Sequence, residues 1–272
     1  MPELPEVETT RRGIAPWLEG RRLLGARVRQ PRLRWPVPAD LDARVRGRRV
    51  RQVRRRAKYL LLDLGNDDWL LLHLGMSGSL RVLPKDSPPG PHDHLDLLLE
   101  ERRLLRLRDP RRFGAVLWWH GLPQAHPRLR RLGPEPLSAT FSGAHLYGLS
   151  RARRTPVKAF IMDQRVVVGI GNIYANEALF AAGIHPGRAA GHIALPRYRR
   201  LVAAIRETLE AAIAQGGTTL RDFEQADGRP GYFAQTLRVY GRAGRPCPRC
   251  GTPIRRRELG GRSAWWCPRC QR

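Results

Sequence analysis

The sequence predicts an α+β, multidomain chain. A β-sandwich or barrel-like sheet domain with flanking helices comes first, then a helical domain, then a four-cysteine finger. Three observations predict it. Short apolar runs at 59–64, 69–74, 94–99, 103–108 and 114–119 are separated by turn residues, with no helical pattern between them, the spacing of an all-β unit. Past Gly133-Pro134-Glu135-Pro136 the apolar positions change to a helical period. All four cysteines fall in the last 26 residues. A length of 272 residues suggests about two domains. The expected boundaries are 1–132 for the sheet domain, 133–240 for the helical domain and 241–272 for the finger.

The elements follow in order. Residues 2–20 read as a helix: Pro5 suits its first turn, and Val7, Ile14 and Leu18 share a face. Pro16 is expected to bend or end it. Residues 23–120 read as β, broken at Gly65–Asp68, Pro84–Pro91, Glu101-Arg102 and Asp109-Pro110. Val157–Met162 is a short helix. Asn172–Ala182 is another, with Asn172 as N-cap and Gly183 as its stop. The stretch between them, Val166–Gly171, is rich in turn residues. A longer helix over 196–215 lines up Leu201, Val202, Ile205, Leu209 and Ile213, and Gly216-Gly217 closes it. Residues 217–240 read as a loop.

The charge narrows the function. Against 50 Lys and Arg stand 24 Asp and Glu, a formal net charge of +26. A folded body this basic attracts polyanions, nucleic acid before a membrane surface, although a basic coat on an ordinary enzyme is the plainer alternative. The apolar runs are far shorter than the about 20 residues a membrane span needs, and the N-terminus lacks a signal-peptide core. A cytoplasmic location is therefore expected. Only Lys58, Lys85 and Lys158 are lysines. That singles them out, because an amine can lose its proton and a guanidinium cannot. Lys85, in a Pro-rich loop, reads as surface.

Cys247-Pro-Arg-Cys250 and Cys267-Pro-Arg-Cys270 are two Cys-x-x-Cys knuckles with a 16-residue spacer. This is the spacing of a tetrahedral four-cysteine zinc site, with room between the knuckles for a hairpin. Four thiolates leave no open position, so the expected Zn2+ is structural. Two disulfides are the other reading, disfavoured in a reducing compartment. Ile254–Arg257 and Gly260–Ser263 make the hairpin basic, as in a nucleic-acid-binding finger; a purely structural ribbon is the alternative.

The chain opens Met1-Pro2-Glu3-Leu4-Pro5-Glu6. Removal of Met1 would leave Pro2 with a free secondary amine. An α-amino group has a pKa near about 8, so part of it is neutral and nucleophilic at neutral pH. Such an amine can attack a sugar C1′ and form an iminium, with Glu3 moving protons. The alternative is a rigid Pro-Glu pair that only starts a helix.

The opening Met1–Glu8 resembles the N-terminal signature of the formamidopyrimidine-DNA glycosylases. Further stretches match in order along the whole chain: Arg55–Leu60, His73–Ser79, Asp109–Gly114, Leu132–Leu137, Gly169–Ala175, Ala182–Pro186, Gly216–Thr219 and the four-cysteine finger. The related endonuclease VIII enzymes, which favour oxidised pyrimidines, typically carry Gly where this chain has Leu4. The resemblance implies a bifunctional base-excision repair enzyme acting on oxidised purines in damaged double-stranded DNA. It would be a glycosylase and abasic-site lyase, monomeric, with its site in a cleft between the two halves. It would need no nucleotide, flavin or catalytic metal.

The resemblance also implies roles. Pro2 is the Schiff-base nucleophile, Glu3 the catalytic acid and Glu6 a nearby ordering carboxylate. Lys58 contacts the DNA backbone and assists β-elimination. Met76, Arg111 and Phe113 fill the void left by an everted nucleotide. His92 and Arg153 contact DNA. The helical domain is a helix-two-turns-helix element in which Asn172 bonds a phosphate at a helix N-terminus and Lys158 adds a cation. Arg262, in the finger hairpin, grips phosphate and is implicated in δ-elimination. Thr218–Tyr232 corresponds to a loop over the flipped base. A catalytically silent zinc-finger DNA-binding protein is the rival reading, against which the intact Pro2, Glu3 and Lys58 argue.

Overall fold

The computed structural model describes residues 2–218 and 233–272. The chain divides into two compact units, Met1–Arg130 with Gln215–Ala234, and Arg131–Ala214 with Gln235–Arg272.

The first unit begins with α1 (Leu4–Leu18). Glu3 is its N-cap, and Pro5 sits in the first turn, where a missing N–H costs nothing. The helix α1 stops two residues after Pro16, in line with the expectation that this proline bends or ends it. Pro16 falls in the last turn, and the Glu19 N–H still donates to the Ala15 carbonyl at 2.9 Å. The chain then runs through β1 (Leu23–Val28), the short α2 (Leu41–Val45), β2 (Gln52–Arg56), β3 (Tyr59–Asp63), β4 (Asp68–His73), β5 (Ser79–Pro84), β6 (Asp93–Leu99), β7 (Arg103–Arg108) and β8 (Ala115–His120).

Two antiparallel four-stranded sheets result, in the orders β1-β6-β7-β5 and β2-β3-β4-β8. Their facing leucines make one core: Leu95, Leu97, Leu105 and Leu107 from one sheet, Leu60, Leu62, Leu70 and Leu72 from the other, closed by Val7, Ile14 and Leu18 of α1. This is the expected β-sandwich with a flanking helix. Strands β1, β2 and β5 lie outside the apolar runs. In β2 only Val53 is buried, and arginines fill most other positions, so hydrophobic alternation cannot reveal it.

The second unit contains α3 (Gly143–Ser150), α4 (Val157–Met162), α5 (Asn172–Ala181) and α6 (Leu195–Ala214). The expected helices form. The N-cap of α5 is Gly171, however, and Asn172 is the first helical residue. Glycine takes the extended cap position, which frees the Asn172 side chain from capping. Helix α3 was not evident, because Gly143 and Gly148 depress its helical propensity. Helix α5 is buried from Ile173 to Phe180, so it is a central core helix rather than an amphipathic one. The spacer between the cysteine knuckles forms the hairpin β9 (Arg255–Leu259) and β10 (Arg262–Trp266), paired from Arg255↔Trp266 to Leu259↔Arg262. No helix among the described residues is long and apolar enough to cross a membrane.

Candidate functional site

Pro2 is buried, and Glu3 and Glu6 are each only 2% exposed. Buried carboxylates require partners. Glu6 Oε2 accepts the Glu3 N–H at 2.8 Å, reaching back across the first turn of α1. Its Oε1 accepts the Thr218 N–H at 2.8 Å. Gly217, at φ +83°, lets the backbone pass there; a Cβ would lie 3.2 Å from Glu6 Oε1. Glu6 therefore ties the start of α1 to the segment at Gly217-Thr218. Of the covering loop expected over 218–232, only Thr218 lies within the described residues.

Lys58 occupies the two-residue turn between β2 and β3, after Ala57 in the left-handed region at φ +54°. Arg55 shapes this turn: its Nη1 donates to the Ala57 carbonyl at 2.9 Å and its Nε to Glu8 Oε2 at 3.1 Å. Glu8 also accepts from Arg11 and Arg12. Burial pushes the Glu8 carboxyl up. Hydrogen bonds from Arg11 and Arg12, with the charges of Arg11 and Arg55, outweigh that and hold it below the usual range. The helix that carries Pro2 and Glu3 is thus tethered to the turn that carries Lys58. Lys58 is itself buried. With Arg34 it disfavours protonation of His73, whose own burial is the larger cause, and His73 is held to about 4. The neutral His73 Nδ1 accepts the Gly75 N–H at 2.9 Å.

Met76 is half-buried in the turn after His73, and Phe113 is 43% exposed. The exposed Arg111 stacks its guanidinium 5.0 Å from the Phe113 ring centroid. The two turns touch through backbone, since a Cβ on Gly75 would lie 2.3 Å from the Phe113 carbonyl carbon. His92 is half-buried beside them, its carbonyl accepting the Asp109 N–H. The structure therefore brings Met76, Arg111, Phe113 and His92 into one region of the first unit. Lys85 is exposed, as expected of a surface lysine.

In the second unit Lys158 is only 2% exposed, and its Nζ donates to the Ser263 carbonyl at 2.6 Å. It acts on the finger hairpin rather than standing open on the surface. Arg262, next to Ser263, is exposed. Lys158 and Arg262 line the same cavity, of about 210 Å³, with Met162, Asp163 and Leu259. Asn172 presents a buried Oδ1 that accepts no hydrogen bond from the described residues. Arg153 is exposed, its guanidinium over Phe160, and stands apart from that cavity's lining.

Sequence reasoning missed two polar anchors on α5. Asn176 Oδ1 accepts the Trp265 N–H of β10 at 2.9 Å. The Glu177 carboxylate accepts the N–H groups of Arg238, Val239 and Tyr240. Both belong to the Asn172–Glu177 run, but only the segments they hold, β10 and the chain at 238–240, reveal what they do.

The four cysteine Sγ atoms lie within 4.8 Å of one another, and none forms a disulfide. Separations of 3.4 Å (Cys250–Cys267), 3.4 Å (Cys250–Cys270) and 3.9 Å (Cys247–Cys270) bracket the about 3.8 Å that Zn–S bonds near 2.3 Å impose on a tetrahedron. The donor set fits one structural zinc.

Family models match in the same order as these features. Residues 1–116 match the formamidopyrimidine-DNA glycosylase N-terminal domain, 132–224 its H2TH domain, and 244–272 the zinc finger found in FPG and IleRS. The chain belongs to the formamidopyrimidine-DNA glycosylase family. It is 63% identical to the formamidopyrimidine-DNA glycosylase of Alkalilimnicola ehrlichii and 61% identical to that of Methylococcus capsulatus, in each case over the whole of both chains. Among solved structures it is similar to the MutM (Fpg) protein of Thermus thermophilus, with a TM-score of 0.89 and 43% identity, covering 99% of this chain and 98% of that one. It is also similar to Lactococcus lactis Fpg in complex with DNA containing an abasic site, with a TM-score of 0.91, 32% identity and 99% of each chain covered.

Proposed function

We propose that this chain excises oxidised purines, 8-oxoguanine and formamidopyrimidines, from duplex DNA and then cuts the strand at the abasic site. The observation that carries this reading is the carboxylate pair beside Pro2. Glu3 and Glu6 are shut from water, and Glu6 fixes the backbone on which Pro2 and Glu3 sit. With Met1 removed, the Pro2 amine attacks C1′. The glycosidic C–N bond breaks and the base leaves with a proton; the amine nitrogen loses its own, and its lone pair then expels the ring oxygen O4′, which takes up a proton as the sugar opens to an iminium at C1′. Loss of a C2′ proton then expels the 3′-phosphate (β-elimination), and a further proton loss expels the 5′-phosphate (δ-elimination). Glu3 moves protons at the base and sugar. The tethered Lys58 ammonium holds backbone phosphate and assists the β-step. Zinc, held by Cys247, Cys250, Cys267 and Cys270, supplies structure alone.

Residues 1–132 carry the chemistry in this reading, and 133–240 and 241–272 grip the DNA. Met76, Arg111 and Phe113 fill the hole left by the flipped nucleotide, and His92, Arg153, Lys158, Asn172 and Arg262 bind DNA. Asn172, whose Oδ1 lacks a donor among the described residues, meets a phosphate through its amide once turned. Lys158 acts through the hairpin that bears Arg262. The protein works as a monomer, in the cytoplasm on nucleoid DNA, and the +26 charge supplies nonspecific, salt-sensitive attraction.

Borohydride should trap a covalent adduct between the protein and an 8-oxoguanine duplex, and retention of Met1 should abolish it. Normal strand cutting without a trappable adduct would overturn the Pro2 assignment. One comparison favours a second activity: Lactococcus lactis Fpg has been solved with DNA containing an oxidised pyrimidine. Side-by-side excision from 8-oxoguanine and thymine-glycol duplexes separates the two. Faster excision of the pyrimidine would replace the purine reading.

A further inference from the structure

Two turns carry Met76 and the Arg111–Phe113 pair. The first is closed by the Gly78 N–H donating to the Leu74 carbonyl at 2.8 Å, the second by the Arg112 N–H donating to the Asp109 carbonyl at 3.1 Å. Their tips are partly exposed, but their bases are joined by one buried polar cluster. Asp109 is 0% exposed and Ser77 is buried. Ser77 Oγ donates to Asp109 Oδ1 at 2.8 Å and accepts the Arg111 N–H at 3.1 Å. Asp109 Oδ2 accepts the Gly114 N–H at 2.7 Å, and His94 Nε2 donates to the Asp109 carbonyl at 2.9 Å. The residue after Met76 is therefore bonded to the start and the middle of the turn that presents Arg111 and Phe113, and Asp109 in turn holds the far end of that turn at Gly114. Glycine is required at the seam: a Cβ on Gly114 would lie 2.9 Å from Asp109 Oδ2 and 2.9 Å from the His73 carbonyl oxygen.

We propose that Ser77 and Asp109 form a bolt that fixes the spacing of the two void-filling turns, and that they are positioning residues for eversion of the damaged nucleotide. This rests on the reading of Met76, Arg111 and Phe113 as void fillers. The physical argument is geometric. A wedge entering a base stack must hold its side chains at one separation while the duplex pushes back, and buried, fully paired hydrogen bonds resist that load better than two independent surface turns. The bolt matters only where a stack is opened. Cutting of an abasic site in a single strand needs no wedge.

The test compares two substrates in single-turnover kinetics. Ser77→Ala strands the Arg111 N–H and one Asp109 oxygen. It should slow 8-oxoguanine excision from duplex about tenfold and leave β-elimination on a single-stranded abasic oligonucleotide within about twofold, which also reports an intact fold. Ser77→Thr, which keeps the hydroxyl, should recover most of the rate. In a Met76→Ala/Phe113→Ala background Ser77→Ala should add less than about twofold, because the side chains it positions are gone. Duplex excision unchanged by Ser77→Ala, with Met76→Ala/Phe113→Ala slow, overturns the bolt alone. So does an equal loss on both substrates, or a full tenfold loss in the truncated background. Excision at the wild-type rate by Met76→Ala/Phe113→Ala overturns the void-filling reading, and the bolt with it.

Discussion

The two units secure their cations by different means. In the first, arginines are matched to carboxylates. Glu8 gathers Arg11, Arg12 and Arg55, and the wholly buried Asp96 pairs with Arg106 at 2.8 Å and with Arg29. In the second, cations are satisfied largely by backbone carbonyls. Lys158 donates to Ser263, Arg206 to Ser138 and Phe141, Arg249 to Phe180 and Ala181 at the end of α5, and Arg197 to Gly183 and Arg272. A carbonyl dipole satisfies an N–H without cancelling the charge. The first unit thus neutralises part of its basicity and stiffens its framework with ion pairs. The second keeps its charge and fixes its direction, as a surface that meets a polyanion requires.

The largest effect that would break this contrast is loss of the metal. Chelation, or Cys250→Ala, should unfold the finger and abolish tight DNA binding, because binding of a structural zinc is folding free energy. The sandwich core, which contains no cysteine, should keep its own unfolding transition. Filter binding and calorimetry on the same sample check both halves; unchanged affinity would show that the finger does not grip DNA.

A smaller effect sharpens the contrast through pH. Glu8 and Asp96 both have folded pKa values held below their unfolded ones, Glu8 against its burial, by hydrogen bonds from Arg11 and Arg12, and Asp96 against its burial, by hydrogen bonds from Arg106 and Arg29. Their stabilisation is complete above the unfolded carboxylate value near about 4 and is lost as pH falls through the folded values. His73 adds a second window: burial lowers it to about 4, so stability falls as pH drops from about 6.5 towards that value. Glu8→Gln should cost about 1–2 kcal/mol at pH 7, discounted for residual solvent screening at a largely buried group, and the gap to wild type should close in acid. Carbonyl-bound guanidiniums do not titrate in this range. Lys158→Met, which removes the brace on the Ser263 carbonyl, should lower DNA affinity. Urea titrations and binding isotherms at several pH values measure both. The smallest effect belongs to the exposed Arg102–Asp86 pair. Asp86→Asn should leave Tm unchanged within error, since solvent-exposed pairs contribute little.

Patterns confined to one turn or one helix were legible. The Cys-x-x-Cys knuckles, the Pro2-Glu3 start, the leucine-rich strands and the helices at 157–162 and 172–182 each declare themselves within a few residues. The arginine-filled β2 and the glycine-bearing α3 did not, because the contrast between apolar and polar positions that marks an element is weak there. Capping at Gly171 was also hidden, since Asn172 has the better intrinsic cap chemistry and only the extended backbone at Gly171 settles the position.

By itself the sequence determined the family, the metal-binding set, the candidate nucleophile and the order of sheet, helical and finger regions. These depend on residue type and short spacing. Tertiary structure alone decided which groups hold which. Ser77 meets Asp109 across 32 residues, Arg55 meets Glu8 across 47, and Lys158 meets Ser263 across 105. Such pairings depend on strand register and helix packing, which bring together groups that no local pattern connects. Lys158, a lone lysine in its stretch of sequence, is for that reason bonded to the finger hairpin, which its sequence does not show.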